Sequence, residues 1–312
     1  MIHHPHTYKQ NDFPPMAMAL GFFDGVHQGH QKVIGKAVET AREHGLKSAV
    51  MTFDPHPSVV LGQKNKQIRY ITPLQDKIRR IEDLGVDYLF IVRFTSAFAS
   101  LAPEEFVEDY LTGLNVRNAI AGFDYTYGKF GKGTMETMPE HAKGAFIVTT
   151  VNKLEDSGEK ISSTAIRSLL AEGETEEAMK QLGRFYSVKG TVVHGEKRGR
   201  TIGFPTANIR IEEDYIIPKT GVYAVRILIG GKWENGVCNI GYKPTFKNPD
   251  EKELSTEVHI FDFSRSIYGE EVELEWHMRI RDEQKFSGID ELKQQISKDK
   301  EAAIQYFQSS RK

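Results

Sequence analysis

The sequence predicts an α/β unit followed by a β unit: a parallel sheet with helices on both faces, then a small antiparallel barrel with a terminal helix outside it. Three observations carry this. From Ala17 to about Leu170, short and nearly continuous apolar runs alternate with helical periodicity, the pattern of a parallel sheet buried on both sides. From Phe185 onward, strand-like runs follow one another across glycine and proline turns with no helix between them, as in a small barrel. The length, 312 residues, exceeds an ordinary single domain and gives each half room for its own core. The boundary is expected at the end of a helical connector, dividing the chain into 1–183 and 184–312.

In chain order, the strands expected in the first unit are Ala17 to Phe23, Ser48 to Phe53, Tyr88 to Phe94, Asn118 to Gly122 and Phe146 to Val151. The amphipathic stretches His30 to His44, Pro73 to Leu84, Pro103 to Leu111 and Ser163 to Ala171 supply the covering helices. Glu174 to Gly183 reads as the connecting helix. The second unit is expected to use Phe185 to His194, Val222 to Ile229, Trp233 to Asn239, Thr256 to Phe261 and Glu271 to Ile280 as strands. The last of these alternates, with Val272, Leu274, Trp276, Met278 and Ile280 on one face and Glu271, Glu273, Glu275, His277 and Arg279 on the other. A helix from Ile289 to Phe307 should pack outside the barrel.

Composition narrows the function. A net charge of -2 with 27% charged residues provides no basic field for nucleic acid and no acidic tail. Cys238 is the only cysteine, which excludes an internal disulfide framework and a four-cysteine zinc site and fits a reducing cytoplasm. The N-terminus MIHHPHTYKQ lacks the apolar centre of a signal peptide, and no apolar run approaches the ~20 residues of a membrane span. His3, His4 and His6 read as part of a flexible polar terminus, with a metal cluster or an expression remnant as alternatives. No pattern in the chain fixes an oligomeric state.

The first unit is organised around AMALGFFDGVHQGH, where an apolar strand meets a glycine-punctuated turn and then a helix. The first N–H groups of such a helix lack intrahelical partners and form an anion site. Gly21, Gly25 and Gly29 allow the tight backbone, and His27 and His30 can face one bound group, for which a phosphate is suited. Two histidines at this spacing could also join Asp24 in holding a metal, or be ordinary polar turn residues. Ligands of parallel sheets bind at the carboxyl ends of the strands. That rule selects FDPHP, where two prolines hold Asp54 and His56 at the sheet edge, and the aromatic loop GFDYTYGKFGKG, which is either a face for a flat ring or an ordinary crossover. It also selects KISSTAIRSLL, whose Ser162, Ser163 and Thr164 open a helix beside Lys160 and Arg167 as caps or as a second anion site. Neither the P-loop nor the dinucleotide glycine fingerprint is present.

In the second unit, HGEKRGRTIGFPTANI places Gly195, Gly199 and Gly203 around a basic run that includes Lys197, Arg198 and Arg200. This is a flap for phosphates or a solvated turn. Pro205 then fixes an extended segment on which Thr206 and Asn208 face one side, offering neutral oxygens that magnesium accepts when phosphates and waters complete its shell. In STEVHIFDF, Glu257, His259 and Phe261 share one face, and Val258 and Ile260 share the other. Glu257 is either a solvated acid or, at a barrel mouth, a base that accepts an alcohol's proton during transfer to a γ-phosphate.

GFFDGVHQGH resembles the signature of nucleotidyltransferases related to class I aminoacyl-tRNA synthetases, and KISST with Arg167 resembles their second phosphate motif. The resemblance implies a Rossmann-like sheet on which Gly21, Phe22, Asp24, Gly25, Lys160, Ser162, Ser163, Thr164 and Arg167 bind ATP. His27 and His30 then assist attack of a substrate phosphate on its α-phosphorus. GRTIGFPTAN and EVHIFDF resemble the riboflavin kinase family. They imply a six-stranded barrel in which Gly195, Gly199, Arg200 and Gly203 cover the nucleotide, Thr206 and Asn208 hold Mg²⁺, and Glu257 activates the ribityl hydroxyl. Together the halves resemble bacterial bifunctional riboflavin kinase and FMN adenylyltransferase. By that resemblance Phe53, Asp54, Asp124, Tyr125 and Arg281 contact flavin, and riboflavin becomes FMN and then FAD, with ATP as co-substrate. The alternatives are retention of one activity only, or a flavin carrier without catalysis.

Overall fold

Alternate residues of the first apolar run face opposite ways, and both sides of that run are covered. In the computed structural model, which describes residues 1–62, 68–156, 159–195, 198–211, 213–244 and 252–309, the first sheet contains β1 (Met16–Leu20), β2 (Lys47–Asp54), β3 (Tyr88–Arg93), β4 (Val116–Gly122) and β5 (Ile147–Val151). They are all parallel, in the order β3-β2-β1-β4-β5. Ala17, Ala19, Val50 and Ile120 face α1 (Gln28–His44), which meets them with Val33, Ile34, Ala37 and Ala41. The small alanines let a helix lie close to the sheet. Met16, Met18, Leu20, Met51 and Phe53 face a second core with Phe98, Phe106, Tyr110 and Met138. Of the remaining amphipathic stretches in this unit, Pro73 to Leu84 forms α2 (Leu74–Glu82), and Pro103 to Leu111 starts as helix and widens into π-type turns from Val107 to Thr112.

The N-terminus departs from expectation. Ile2 is buried and extends the sheet beyond β3, its N–H donating to Ile91 O at 2.7 Å and its carbonyl accepting from Arg93 N at 2.8 Å. His4 Nδ1 lies 3.1 Å from the Tyr110 hydroxyl, and the His6 ring stands edge-on to Tyr110. The terminus is therefore tied down rather than flexible, because the edge strand β3 offers unpaired backbone groups and Ile2 has an apolar site to fill. Among the described residues no cluster of histidine, cysteine and acidic side chains could hold a metal ion.

The chain divides into two units, Met1–Ser163 and Thr164–Lys312. In the second, α3 (Ser163–Glu172) and α4 (Thr175–Leu182) precede a closed barrel, and α4 packs on two of its strands. The barrel strands are β6 (Tyr186–Val193), β7 (Ala207–Arg210), β8 (Gly221–Ile229), β9 (Lys232–Pro244), β10 (Lys252–Ile260) and β11 (Glu271–Arg281). They close antiparallel in the order β6-β7-β10-β9-β8-β11. Trp276, Leu274, Tyr186, Tyr223 and Cys238 are fully buried.

The expected alternation of β11 holds only as far as Trp276. Trp276 pairs with Val225 and Met278 with Ala224, so position 277 is an extra residue. Such a bulge reverses the faces that follow it. Met278 and Ile280 consequently pack with Ala303 and Phe307 of α5 (Ile289–Ser309), and His277 is buried against Phe185 and Phe307. Among the described residues, no helix is long and apolar enough to cross a membrane.

Candidate active sites

In the first unit the turn between β1 and α1 is held in a conformation that few sequences adopt. Gly25 has φ +89°, and Phe23 and Val26 also lie in the left-handed region. A side chain at Gly21 would strike the Phe23 ring, and one at Gly29 would press on His27. The turn delivers His27 to the N-cap of α1, where its Nδ1 accepts the His30 N–H at 3.3 Å. A neutral imidazole that accepts at Nδ1 carries its proton on Nε2, so His27 presents a donor there. The His30 ring stacks on it, with centroids 3.6 Å apart and planes 19° from parallel. Burial, with help from His27 and Lys77, holds the His30 pKa well below the ordinary imidazole value, and its buried Nδ1 has no hydrogen-bond partner among the described residues. Two stacked neutral imidazoles above a helix N-terminus can donate to phosphate oxygens.

Asp24 is buried and accepts from the Ile71 and Thr72 N–H groups at 3.3 and 3.0 Å, so its carboxylate locks the turn to the loop before α2. Its carbonyl accepts from Ser163 Oγ at 2.9 Å, and the Ile161 carbonyl lies beside Gly29. The start of the second phosphate motif thus sits against the first, with Ser162 half-buried next to it. Thr164 and Arg167 continue along α3 in the second unit, and the side chains of Lys160, Arg198 and Arg200, together with all of Lys197, lie outside the described part of the structure.

The lysine that sequence reasoning missed is Lys77. It is buried, donates to the carbonyls of Phe22 at 3.1 Å and Phe53 at 3.4 Å, and stands 4.2 Å from the centroid of the Phe22 ring. It therefore joins the ends of β1 and β2. Burial lowers its pKa to about 8 despite the opposing charges of Asp24 and Asp54. A lysine on the apolar stripe of α2, in line with Leu74 and Ile81, was the available signal. Phe22 also meets His56 edge-on at 4.4 Å. Phe53 is a core residue packed on Phe94 and Phe98, whereas Asp54 is half-buried at the strand end and its carbonyl accepts from Phe94 N. On the loop after β4, Asp124 is exposed, and Tyr125 stacks near Tyr127, whose hydroxyl lies 2.7 Å from His141 Nδ1. Burial pushes the Tyr127 hydroxyl up to about 12.

In the second unit Asn208 of β7 pairs with Glu257 of β10, and Glu257 with Asn239 of β9, forming a polar row across three strands. Thr206 Oγ donates to Glu257 Oε2 at 3.3 Å. Lys243, also missed from sequence, lies 2.6 Å from Glu257 Oε1 and donates to Asn208 Oδ1 at 2.9 Å. Two glycines of the preceding segment lie against this row. A side chain at Gly195 would collide with the Asn208 amide, and one at Gly199 would collide with the Phe204 carbonyl and come near Thr206. Gly203 turns the chain with φ +92°.

Two residues near this row are engaged by the protein itself. His259 is buried, with Nδ1 2.9 Å from the Pro205 carbonyl, where it supports the segment carrying Thr206. Arg281 is bound to Asp299 of α5 through Nε and Nη2, at 2.9 and 2.8 Å, while Nη1 donates to the Asp282 carbonyl. All three of its guanidinium nitrogens donate within the protein. Thr206, Asn208, Glu257 and the two near glycines are brought together; Arg281 is tied to the terminal helix.

Comparison with known proteins gives a concordant result for both halves. A family profile described as FAD synthetase matches residues 9–165, and one described as riboflavin kinase matches residues 182–307. A Bacillus subtilis protein named bifunctional riboflavin kinase/FMN adenylyltransferase is 54% identical over 311 residues, covering 100% of this chain and 98% of that one. A Listeria monocytogenes protein of the same name is 52% identical over 306 residues, covering 98% and 97%. A solved Streptococcus pneumoniae structure, titled a macrolide-efflux protein, has a TM-score of 0.86 at 37% identity and covers 96% of this chain and 97% of that one. The likeness to that structure carries the fold; the profiles and named relatives carry the chemistry. The chain belongs to the bifunctional riboflavin kinase/FMN adenylyltransferase family.

Proposed function

We propose that the kinase and nucleotidyltransferase activities of this family reside in this chain at separate centres, the barrel converting riboflavin to FMN and the parallel sheet converting FMN to FAD. The supporting observation is that each unit assembles its own reactive side chains: His27 on His30 at the start of α1, and Glu257 beside Asn208 and Thr206 on neighbouring strands.

In the barrel, Glu257 accepts the proton of the ribityl 5′-hydroxyl as that oxygen bonds to the γ-phosphorus of ATP and ADP leaves. The neutral oxygens of Thr206 and Asn208 suit a hard cation, and the ammonium held between Asn208 Oδ1 and Glu257 Oε1 marks the pair as cation-accepting. Bound there, Mg²⁺ neutralises charge on the ATP phosphates. Gly195, Gly199, Arg200 and Gly203 form the cover over those phosphates.

In the sheet unit the nucleophile is the FMN phosphate, already ionised, so no general base is required. The reaction reduces to alignment and charge stabilisation as an oxygen of that phosphate bonds to the α-phosphorus and pyrophosphate departs. His27 donates from Nε2, and the first-turn N–H groups of α1 add their partial charge. Of the residues that the resemblance assigns to the leaving pyrophosphate, Lys160, Ser162 and Ser163 belong to this unit. By the same reading Asp54, Asp124 and Tyr125 contact the flavin in this unit, with Phe53 in the core beneath them, whereas Arg281 belongs to the barrel, where it fixes α5 through Asp299. A cytoplasmic location suits the single cysteine, and the net charge of -2 offers no basic field for nucleic acid.

Single-site variants test the assignment through product chromatography. His27→Ala should form FMN from riboflavin, ATP and Mg²⁺ and accumulate it, with FAD formation reduced at least about 100-fold. Glu257→Ala should form no FMN yet still make FAD from added FMN. Failure of His27→Ala to make FMN from riboflavin, or of Glu257→Ala to make FAD from added FMN, in protein that remains folded, would contradict separate centres.

A further inference from the structure

The polar row of the barrel ends in a cation supplied by the chain itself. Lys243 stands four residues beyond Asn239 on β9, hence on the same face. Its Nζ lies 2.9 Å from Asn208 Oδ1 and 2.6 Å from Glu257 Oε1, while Thr206 holds Glu257 by the other oxygen. The ammonium therefore rests on the amide oxygen assigned to the divalent ion and on the carboxylate oxygen nearest to it. About a third of the lysine side chain is exposed, so it has somewhere to go when displaced.

We propose that Lys243 is a stand-in cation: its ammonium holds Asn208 and Glu257 in register, and a divalent ion entering with nucleotide must displace it from Asn208 Oδ1. This rests on Thr206, Asn208 and Glu257 being the kinase centre. An ion coordinated by Asn208 Oδ1 would stand a few ångströms from the full positive charge on Nζ, and two cations that close repel. One of them leaves. The withdrawal of Lys243 also uncovers Glu257 Oε1 for a substrate hydroxyl, so arrival of the metal nucleotide and exposure of the base become one event. Metal without nucleotide, lacking the phosphate oxygens that complete its shell, competes poorly against the tethered ammonium. Lys243 is on this account a positioning residue, and what it sets is the affinity of the barrel for its divalent ion.

Mn²⁺ titrated into the full-length protein in the presence of ADP, with free ion followed by electron paramagnetic resonance, tests this. The component lost in Asn208→Ala reports the barrel. In Lys243→Met that component should tighten about fivefold, the weight of one part-exposed charge pair. Lys243→Gln should behave likewise and serves if the methionine variant fails to fold. Lys232→Met, which removes an exposed ammonium paired with Glu234 on the same strand, should leave the component unchanged. An unchanged or weaker affinity in both Lys243 variants overturns the proposal while leaving the kinase centre intact, as does equal tightening in Lys232→Met. If Asn208→Ala removes no component, the kinase centre itself is misassigned and the proposal falls with it.

Discussion

Lys77 carries its charge where water cannot reach, so its proton is a measure of how the first site is built. Its pKa stands near 8, whereas the unfolded chain has the ordinary 10.5. Between those values the unfolded chain binds a proton that the folded chain does not, and stability from this group rises with pH across that window. The whole effect is about 3 kcal/mol. Chemical denaturation at pH 8 and pH 10.5 should therefore show wild type gaining on Lys77→Met by about that amount, and parallel behaviour of the two proteins would show that the ammonium is not desolvated. His27 acts on a smaller energy scale for folding. Its cap on α1 contributes about 1 kcal/mol, so the fold of His27→Ala should survive while adenylylation does not. At this scale His27, His30, Thr206, Asn208 and Glu257 were legible because their motifs fix spacing along one element. Lys77 and Lys243 were not, since their partners lie on other strands and a lysine reads as a solvated charge until the fold buries it. The partners of the Asp24 carboxylate, the Ile71 and Thr72 N–H groups, were hidden for the same reason, being remote in sequence.

Among the elements, α5 is attached both by packing and by a buried charge pair. Asp299 is buried, takes Arg281 by two oxygens, and receives Gln295 Nε2 at 2.9 Å. Removing one partner of such a pair leaves the other uncompensated. Asp299→Ala should lose about 3 kcal/mol, read as a lower barrel melting temperature, whereas Asp299→Asn, which keeps part of the hydrogen bonding, should lose less. Equal losses would mean that packing by Ala303 and Phe307, rather than the pair, holds the helix. The five sheet strands and the long helices were plain from periodicity, because burial on both faces leaves an unbroken apolar run. Two elements were harder to see. The strand β7 is four residues long, and its PTANI reads as extended but not as a barrel strand. The added pairing by Ile2 depends on one residue beside a distant edge, which no local pattern encodes. The bulge at His277 was hidden too, since the apolar alternation of β11 continues through it and only pairing with Ala224 and Val225 reveals the extra residue.

At the scale of the whole molecule, the chain joins two units that fold around separate cores and cleave ATP at different bonds. On the proposed reading the sheet unit serves an anion that is already charged, with a helix N-terminus and imidazole donors. The barrel is built for an alcohol that must lose a proton, and there the carboxylate and the oxygen donors stand together. If the centres work separately, FMN released by one molecule can be used by another, and a mixture of His27→Ala and Glu257→Ala proteins should make FAD from riboflavin although neither does alone. The most direct measurement is the stoichiometry of the wild-type reaction. Given riboflavin, ATP and Mg²⁺, the protein should release one ADP and one pyrophosphate for each FAD formed, with pyrophosphate alone appearing when FMN replaces riboflavin. Release of neither ADP nor pyrophosphate, or of ADP without pyrophosphate as FAD accumulates, would contradict the assignment of one bond cleavage to each unit.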